Sequence, residues 1–535
     1  MKKTILVLFS LFFITSLFAQ EVGLATYVLH FKDKGEAKAG SLNPLNYLSY
    51  KAVERRLKQK ISFDQADIPV NDQYIKAISK TGANILTRSR WFNTVVIEAN
   101  TDMINEISAL PYVSEIQLLA KNIKNLLSST KPAFENETMS PSLPGITKNA
   151  TTDLYNYGIA FNQINQLKGQ YLHNMGYSGQ GMLIAVIDAG FNSVDKMTCF
   201  DSLRANNQIK GTRDFAQPGN NVYATSMASH GTSVLSCMGA YSSGQMIGTA
   251  PKADYWLLRS EVFASESIVE EYYWASAAEF ADSIGADLIN SSLGYTTFDN
   301  NTTSHTYADM DGNTTVVTKA ADKAAEKGIL VVNSAGNSGG TSWKYIGAPA
   351  DGDSVFTIGA VTAAGIRSGF SSVGPTSDGR LKPTVAAQGS GTAIFYPDNQ
   401  NVQTLGTGNG TSFSSPVMCG ITACLWQAFP GLNNMQIIEL IKASASQVNQ
   451  PDSLLGWGIP DFLAATNTLS IKTNDNKFDV FPNPVAGTLT LVFPDLIQGE
   501  FKIEIVNLQS KVVYSTRHNE GAIRSIQIND IGFLP

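Results

Sequence analysis

Four short segments each join a reactive side chain to small neighbours that leave it approachable. Asp188 stands in Val186-Ile187-Asp188-Ala189-Gly190 and His230 in Ser229-His230-Gly231-Thr232-Ser233-Val234. Ser412 stands in Gly410-Thr411-Ser412-Phe413-Ser414-Ser415-Pro416, and Asn337 in Ser334-Ala335-Gly336-Asn337-Ser338-Gly339. Together these residue types can carry nucleophilic acyl transfer. A serine hydroxyl is a weak nucleophile until a base takes its proton. A histidine of near-neutral pKa can be that base, and a carboxylate can fix its tautomer and stabilise the imidazolium. The oxyanion that forms needs donors already in place, and the Asn337 amide and the Ser412 backbone N–H at a helix start are candidates. Alone, each residue has an ordinary role: Asp188 as a helix cap or metal ligand, His230 as a structural side chain, Ser412 as an N-cap, Asn337 as a turn former. Their joint occurrence in the order Asp, His, Asn, Ser favours the catalytic reading.

The surrounding pattern supplies elements that can position them. Met182 to Asp188 is a continuous apolar run ending in an acid, and Asp287–Asn290 and Ile329–Asn333 are similar short runs. The last two each follow a helical segment closed by glycine, at Gly285 and Gly328, and the first of those helices opens with the capping box Ser267-Ile268-Val269-Glu270. Repeated helix–glycine–strand units imply a parallel sheet covered by helices on both faces, an α/β fold spanning residues 151–470. Ligands on such sheets sit at the carboxyl ends of the strands, where Asp188, Asn290 and Asn333 fall. His230 and Ser412 are each expected to open a helix.

Before this domain, residues 20–120 read as a small α+β module. Tyr27–Phe31, Phe92–Ala99 and Val113–Leu118 are its strands, and Leu45–Lys60, Asn71–Gly82 and Thr101–Leu110 its helices. Residues 121–150, crowded with Lys, Asn, Ser, Thr and Pro, read as an exposed linker with a processing site. After the polar stretch Lys472–Lys477 the alternating runs Leu489–Phe493 and Phe501–Ile505 mark a small β module over residues 471–535. Lys2 and Lys3, the uncharged run Thr4–Phe18 and the small Ala19 make residues 1–19 a secretory signal, too short for a bilayer span. The chain of 535 residues has 16% charged and 43% hydrophobic residues, which excludes global disorder. With 39 Lys and Arg against 45 Asp and Glu, its net charge of −6 argues against nucleic acid as a partner. Four cysteines with no Cys-x-x-Cys pair exclude a disulfide scaffold and disfavour a zinc site. In an exported protein Cys199 and Cys237 are candidates for a disulfide, although spacing fixes no pairing.

In the order and wording of its motifs the domain at residues 151–470 resembles the subtilisin-like serine peptidases, whose triad also runs Asp, His, Ser along the chain. The resemblance implies Ser412 as nucleophile, His230 as general base and acid, Asp188 as the orienting carboxylate, and Asn337 with the Ser412 N–H as the oxyanion hole. It implies that Ser291, Ser292, Leu293 and Gly294 form the edge that pairs with an extended peptide. Gly347 would floor the pocket for the residue before the cut, leaving it open to a large apolar side chain. Two positions depart from the family: Ala189 stands where Ser or Thr usually follows the Asp, and Phe413 replaces the usual Met. The N-terminal module resembles the family's inhibitory propeptide. The C-terminal module, with Val480-Phe481-Pro482-Asn483-Pro484 and Asn507-Leu508, resembles type IX secretion sorting domains, and its end at Phe533-Leu534-Pro535 reads as incomplete.

The expected protein is therefore a secreted or cell-surface endopeptidase whose partners are polypeptide substrates, its own propeptide and the secretion machinery. It requires no cofactor. Calcium at Asp309-Met310-Asp311-Gly312-Asn313 is possible but unsupported, because the glycine is misplaced for an EF-hand loop. The glycine-rich Gly176–Gly181 precedes its strand, on the wrong side for a dinucleotide. Two other readings stay open: a catalytically silent fold used for surface binding, and an esterase or acyl transferase using the same triad.

Overall fold

The computed structural model describes residues 23–35, 43–121, 137–141, 153–262, 265–470, 479–481, 488–497, 500–506, 512–518 and 523–529. The secretory segment 1–19, most of the 121–150 linker, Lys472–Lys477 and the last residues of the chain lie outside them. Among the described residues no helix is long and apolar enough to cross a membrane.

The N-terminal module is a four-stranded antiparallel sheet of β1 (Ala25–Phe31), β2 (Asn84–Ser89), β3 (Thr94–Ala99) and β4 (Val113–Lys121), in the order β2-β3-β1-β4. Its helices are α1 (Tyr50–Gln59), α2 (Asp72–Lys80) and α3 (Thr101–Ser108). Period-two alternation buries both faces of the sheet. Leu29, Val95 and Ile97 pack with Ile78 and Ile107 of the module's own helices, while Val28 and Val96 join a cluster that belongs to the main domain. Sequence reading misses β2 because it is a polar edge strand in which only Ser89 is buried. The helix expected from Leu45 starts at Tyr50, capped by the Ser49 side chain, which accepts from Ala52 N.

The main domain is built on seven parallel strands: β6 (Leu183–Asp188), β7 (Ile209–Asp214), β8 (Asp254–Arg259), β9 (Leu288–Ser291), β10 (Leu330–Ser334), β11 (Phe356–Val361) and β12 (Val385–Gln388). The label β5 is given to Thr138–Pro141, a strand inside the expected linker. The sheet order is β12-β11-β10-β9-β6-β8-β7. All six residues of β6 are buried, which is why it reads as one apolar run rather than an alternating one. Ile184 and Val186 face one core, and Leu183, Ala185 and Ile187 the other. The first core is shared with α4 (His230–Gly239). The second is shared with α5 (Val269–Ile284) and α6 (Val316–Glu326). Parallel register sets Asp188 beside Arg259, and Ile187 beside Ser291, so the carboxyl ends of the central strands stand level. Beyond β12 come β13 (Thr392–Pro397), β14 (Gln403–Asn409) and the long helix α7 (Thr411–Ala428). The C-terminal module consists of a three-stranded antiparallel sheet (Asp479–Phe481, Leu489–Ile497, Ile523–Ile528) and a two-stranded one (Phe501–Val506, Val512–His518). Cys199, Cys237, Cys419 and Cys424 are all free and buried, so the Cys199–Cys237 disulfide does not form.

The N-terminal module is held by buried charge. Arg55 of α1 donates to Ala286 O at 2.5 Å and Lys327 O at 3.3 Å, carbonyls just past the C-termini of α5 and α6, where a cation is favoured. The Asp282 carboxylate takes Arg55 at 2.5 Å and both Arg56 and Arg90 at 2.7 Å. Gly285 closes α5 at φ 82°, and a methyl there would lie 2.6 Å from Ala52 N, so this glycine serves both the helix end and the docking of α1. Asp282→Ala should remove the carboxylate shared by three arginines and loosen the module by about 3–5 kcal/mol. Limited proteolysis of the full chain should then release the module earlier. Asp72→Ala, which breaks the exposed Arg88–Asp72 pair, should change its release by less than about 0.5 kcal/mol.

Candidate active site

Asp188 is the last residue of β6 and has no solvent exposure. His230 is the first residue of α4, and the glycine after it is dictated by packing. A methyl on Gly231 would stand 2.5 Å from Gly190 O and 2.9 Å from Asp188 Cβ, so only glycine lets the helix come down onto the strand end. There His230 Nδ1 donates to Asp188 Oδ1 at 2.8 Å, and Ala189 N donates to the same oxygen at 2.7 Å. Asp188 Oδ2 is buried with no hydrogen-bond partner among the described residues.

Ser412 is the second residue of α7. Pro416 lies four residues on and has no N–H to give the Ser412 carbonyl. Ser292 Oγ supplies the missing donor at 2.9 Å, while Ser292 O lies 3.3 Å from Ser412 Oγ. Asn337 is oriented from the same helix: Thr411 N and Oγ1 donate to its Oδ1 at 2.8 and 2.9 Å, which turns Nδ2 toward Ser412. Phe413 is fully buried, its ring 6.3 Å from that of His230. Asp188 and His230 thus meet at the end of β6, and Asn337 meets the start of α7 beside Ser412.

The substrate-binding expectations divide. Gly294 and Gly347 line one cavity with Asn337, Thr411, Trp343 and Tyr345. Leu293 is buried, its carbonyl accepting from Asn333 Nδ2 at 3.1 Å. Ser292 is buried, its Oγ engaged with the Ser412 carbonyl. Ser291 is turned into the fold, where its Oγ accepts from Trp274 Nε1 at 3.0 Å. At Asp309–Asn313, Asp311 Oδ1 accepts from the Asn313 and Thr314 N–H groups, each at 2.8 Å, a self-contained polar turn.

Sequence reasoning misses one residue entirely. Glu137, inside the expected linker, reaches the site: its Oε1 accepts from Ser412 Oγ, and from Asn337 Nδ2 at 3.1 Å, while Oε2 pairs with His230 Nε2 at 3.2 Å. Nothing local marks it, since it is one acid in a polar stretch. Burial alone would lower the His230 pKa, but the carboxylates of Asp188 and Glu137 outweigh it and raise it to about 10. Burial pushes the Asp188 carboxyl upward, opposed by His230 and the Ala189 N–H.

Sequence comparison identifies the family to which this fold belongs. The sequence model of the Subtilase family matches residues 179–458, just over half of the chain. The Peptidase S8 propeptide domain of Bacteroidota matches residues 26–136, and the secretion system C-terminal sorting domain matches residues 479–532. The chain belongs to the Subtilase family, and its sorting domain marks it as an exported or cell-surface protein. It is 30% identical over 285 residues to Subtilisin NAT of Bacillus subtilis subsp. natto, covering 53% of this chain and 65% of that one. That is slightly under two thirds of this relative's length. It is also 30% identical over 285 residues to Subtilisin of Bacillus pumilus, covering 90% of that protein. Among solved structures it resembles fervidolysin from Fervidobacterium pennivorans, a keratinolytic enzyme related to subtilisin, with a TM-score of 0.53 over 96% of this chain and 69% of that one. At 18% identity the likeness is one of fold.

Ser292→Ala should leave the Ser412 carbonyl buried without a donor and lower stability by about 1–3 kcal/mol, measurable by thermal unfolding. Because the folded state binds the His230 proton more tightly than the ordinary 6.5, that contribution is complete below about pH 6.5 and lost as pH rises through about 10. Denaturant titration of the full chain across this window should show the decline, and His230→Gln should flatten it.

Proposed function

We propose that the protein is a secreted serine endopeptidase, made as a propeptide-inhibited precursor, that cleaves peptide bonds through an acyl-enzyme. The observation that carries this reading is the 2.8 Å bond from His230 to the buried Asp188, beside a serine at a helix N-terminus with the Asn337 amide turned toward it. Once Glu137 has left, Ser412 Oγ attacks the scissile carbonyl carbon and His230 Nε2 takes its proton. Asp188 stabilises the resulting imidazolium. The negative charge that develops on the carbonyl oxygen is met by Asn337 Nδ2 and the Ser412 N–H, assisted by the dipole of α7. When the C–N bond breaks, His230 returns the proton to the leaving amine. Water then attacks the acyl-enzyme, with His230 as base, releasing the acid and restoring Ser412.

The substrate is an extended polypeptide paired along Ser292–Gly294, with the side chain before the cut in the slot beside Gly347. That cavity is also lined by Trp343 and Tyr345. Processing falls within residues 121–150, separating the propeptide at 20–120 from the peptidase domain at 151–470. A second reading, a catalytically silent binding protein, draws support from the unpartnered Asp188 Oδ2.

A serine-directed phosphonate separates the two. The full chain should label at Ser412 as it processes, and Ser412→Ala should do neither. Absence of label even after the N-terminal module has been removed by another protease would favour the binding protein. Asn337→Ala should lower kcat by about 10²–10³ with little change in KM, the magnitude known for the equivalent subtilisin amide.

A further inference from the structure

We propose that Glu137 is an inhibitory wedge: its side-chain carboxylate occupies the oxyanion position and holds nucleophile and base apart in the precursor, with β5 as the strap that keeps it there. This rests on the peptidase reading and names the residue that silences the site. Each group the reaction needs is engaged. Oε1 takes the Ser412 hydroxyl and the Asn337 amide, and Oε2 takes His230 Nε2. The Ser412 proton is thereby directed at a carboxylate and away from the imidazole. A carboxylate fits this place because the donors there are arranged for an oxyanion, at the N-terminus of α7.

The position is built on both sides. Gly410 makes room, since a methyl there would lie 3.0 Å from Glu137 Oε1. Behind the wedge, Thr138–Pro141 pairs antiparallel with Gly406–Asn409 of β14, and Asn409 Nδ2 donates to Thr138 Oγ1 at 2.8 Å. Flanked by Asp188 and Glu137, His230 keeps its proton up to about pH 10, and a protonated imidazole accepts nothing from Ser412. The wedge is also separable from the folded module. The propeptide family match ends at residue 136, immediately before Glu137. The arginine contacts of the module meet Ala286 and Lys327, which precede β9 and β10, whereas Ser412 stands at the opposite, carboxyl edge of the sheet.

The test uses the full chain with its module in place. A fluorescent serine-directed phosphonate is added to wild type, Glu137→Gln and Glu137→Ala, and label on the unprocessed band is timed. Both variants should label about tenfold faster or more than wild type. Equal rates on the unprocessed bands, with label on the processed form, would overturn the wedge and leave the peptidase intact. If no form labels, the peptidase reading fails and a second measurement decides the wedge. In the Ser412→Ala full chain, which cannot process, histidine NMR follows the His230 titration, assigned through His230→Gln. Adding Glu137→Gln should move its midpoint well below about 10, and an unmoved midpoint would refute the wedge.

Discussion

A carboxylate held out of water governs the architecture of this protein. Asp188 ends the central strand with no exposure, and an uncompensated charge there would cost several kcal/mol. Its offset comes from one backbone N–H and one imidazole, and the imidazole can reach it only if α4 starts directly above the strand end. That in turn requires Gly231 to lack a side chain and β6 to finish level with its neighbours. Among the described residues only one carboxylate oxygen of Asp188 is satisfied, and His230 is the one side chain that reaches it. The charge balance of the site therefore runs through a single ring.

Much of this could be read from the chain because burial on two faces leaves a plain mark. Strands β6, β9 and β10 appear as unbroken apolar runs, and the helices before the last two end in the glycines that the left-handed turn needs. His230 and Ser412 are legible as helix starts for the same local reason. What escapes is whatever depends on distant pairing. The strand Asn84–Ser89 is polar because it lies at an edge. Ser292 donates to the Ser412 carbonyl in place of the N–H that Pro416 lacks, a relation visible once the two segments are adjacent. Trp343 and Tyr345 line the cavity beside Gly347 from a loop whose position no periodicity predicts. Glu137 reaches the site through a strand paired to β14, far along the chain, and a single acid in a polar stretch carries no signal of it.

The precursor is held in two places with different physics. At the amino edge of the sheet, arginines of the N-terminal module cap helix ends and surround Asp282, a buried network that is strong while complete and fails sharply when one member leaves. At the carboxyl edge stand a short, exposed strand, β5, and the carboxylate of Glu137 just before it. The first contact is extensive and structural, the second small and aimed at chemistry. Under the proposed reading the module can be lost while the strap still covers the site.

Departure of the strap has a consequence for β14. This strand then presents a row of unpaired amides and carbonyls beside the nucleophile, and bare edges of that kind recruit other chains into mixed sheets and aggregates. Here the recruit would be laid across a hydrolytic centre. Under the proposed reading, a foreign segment that adds itself to β14 would be cut and leave in pieces, turning the hazard common to edge strands into a means of capture that clears itself. An inactive variant lacking the strap would keep the edge without that remedy, and self-association would become its distinguishing trait.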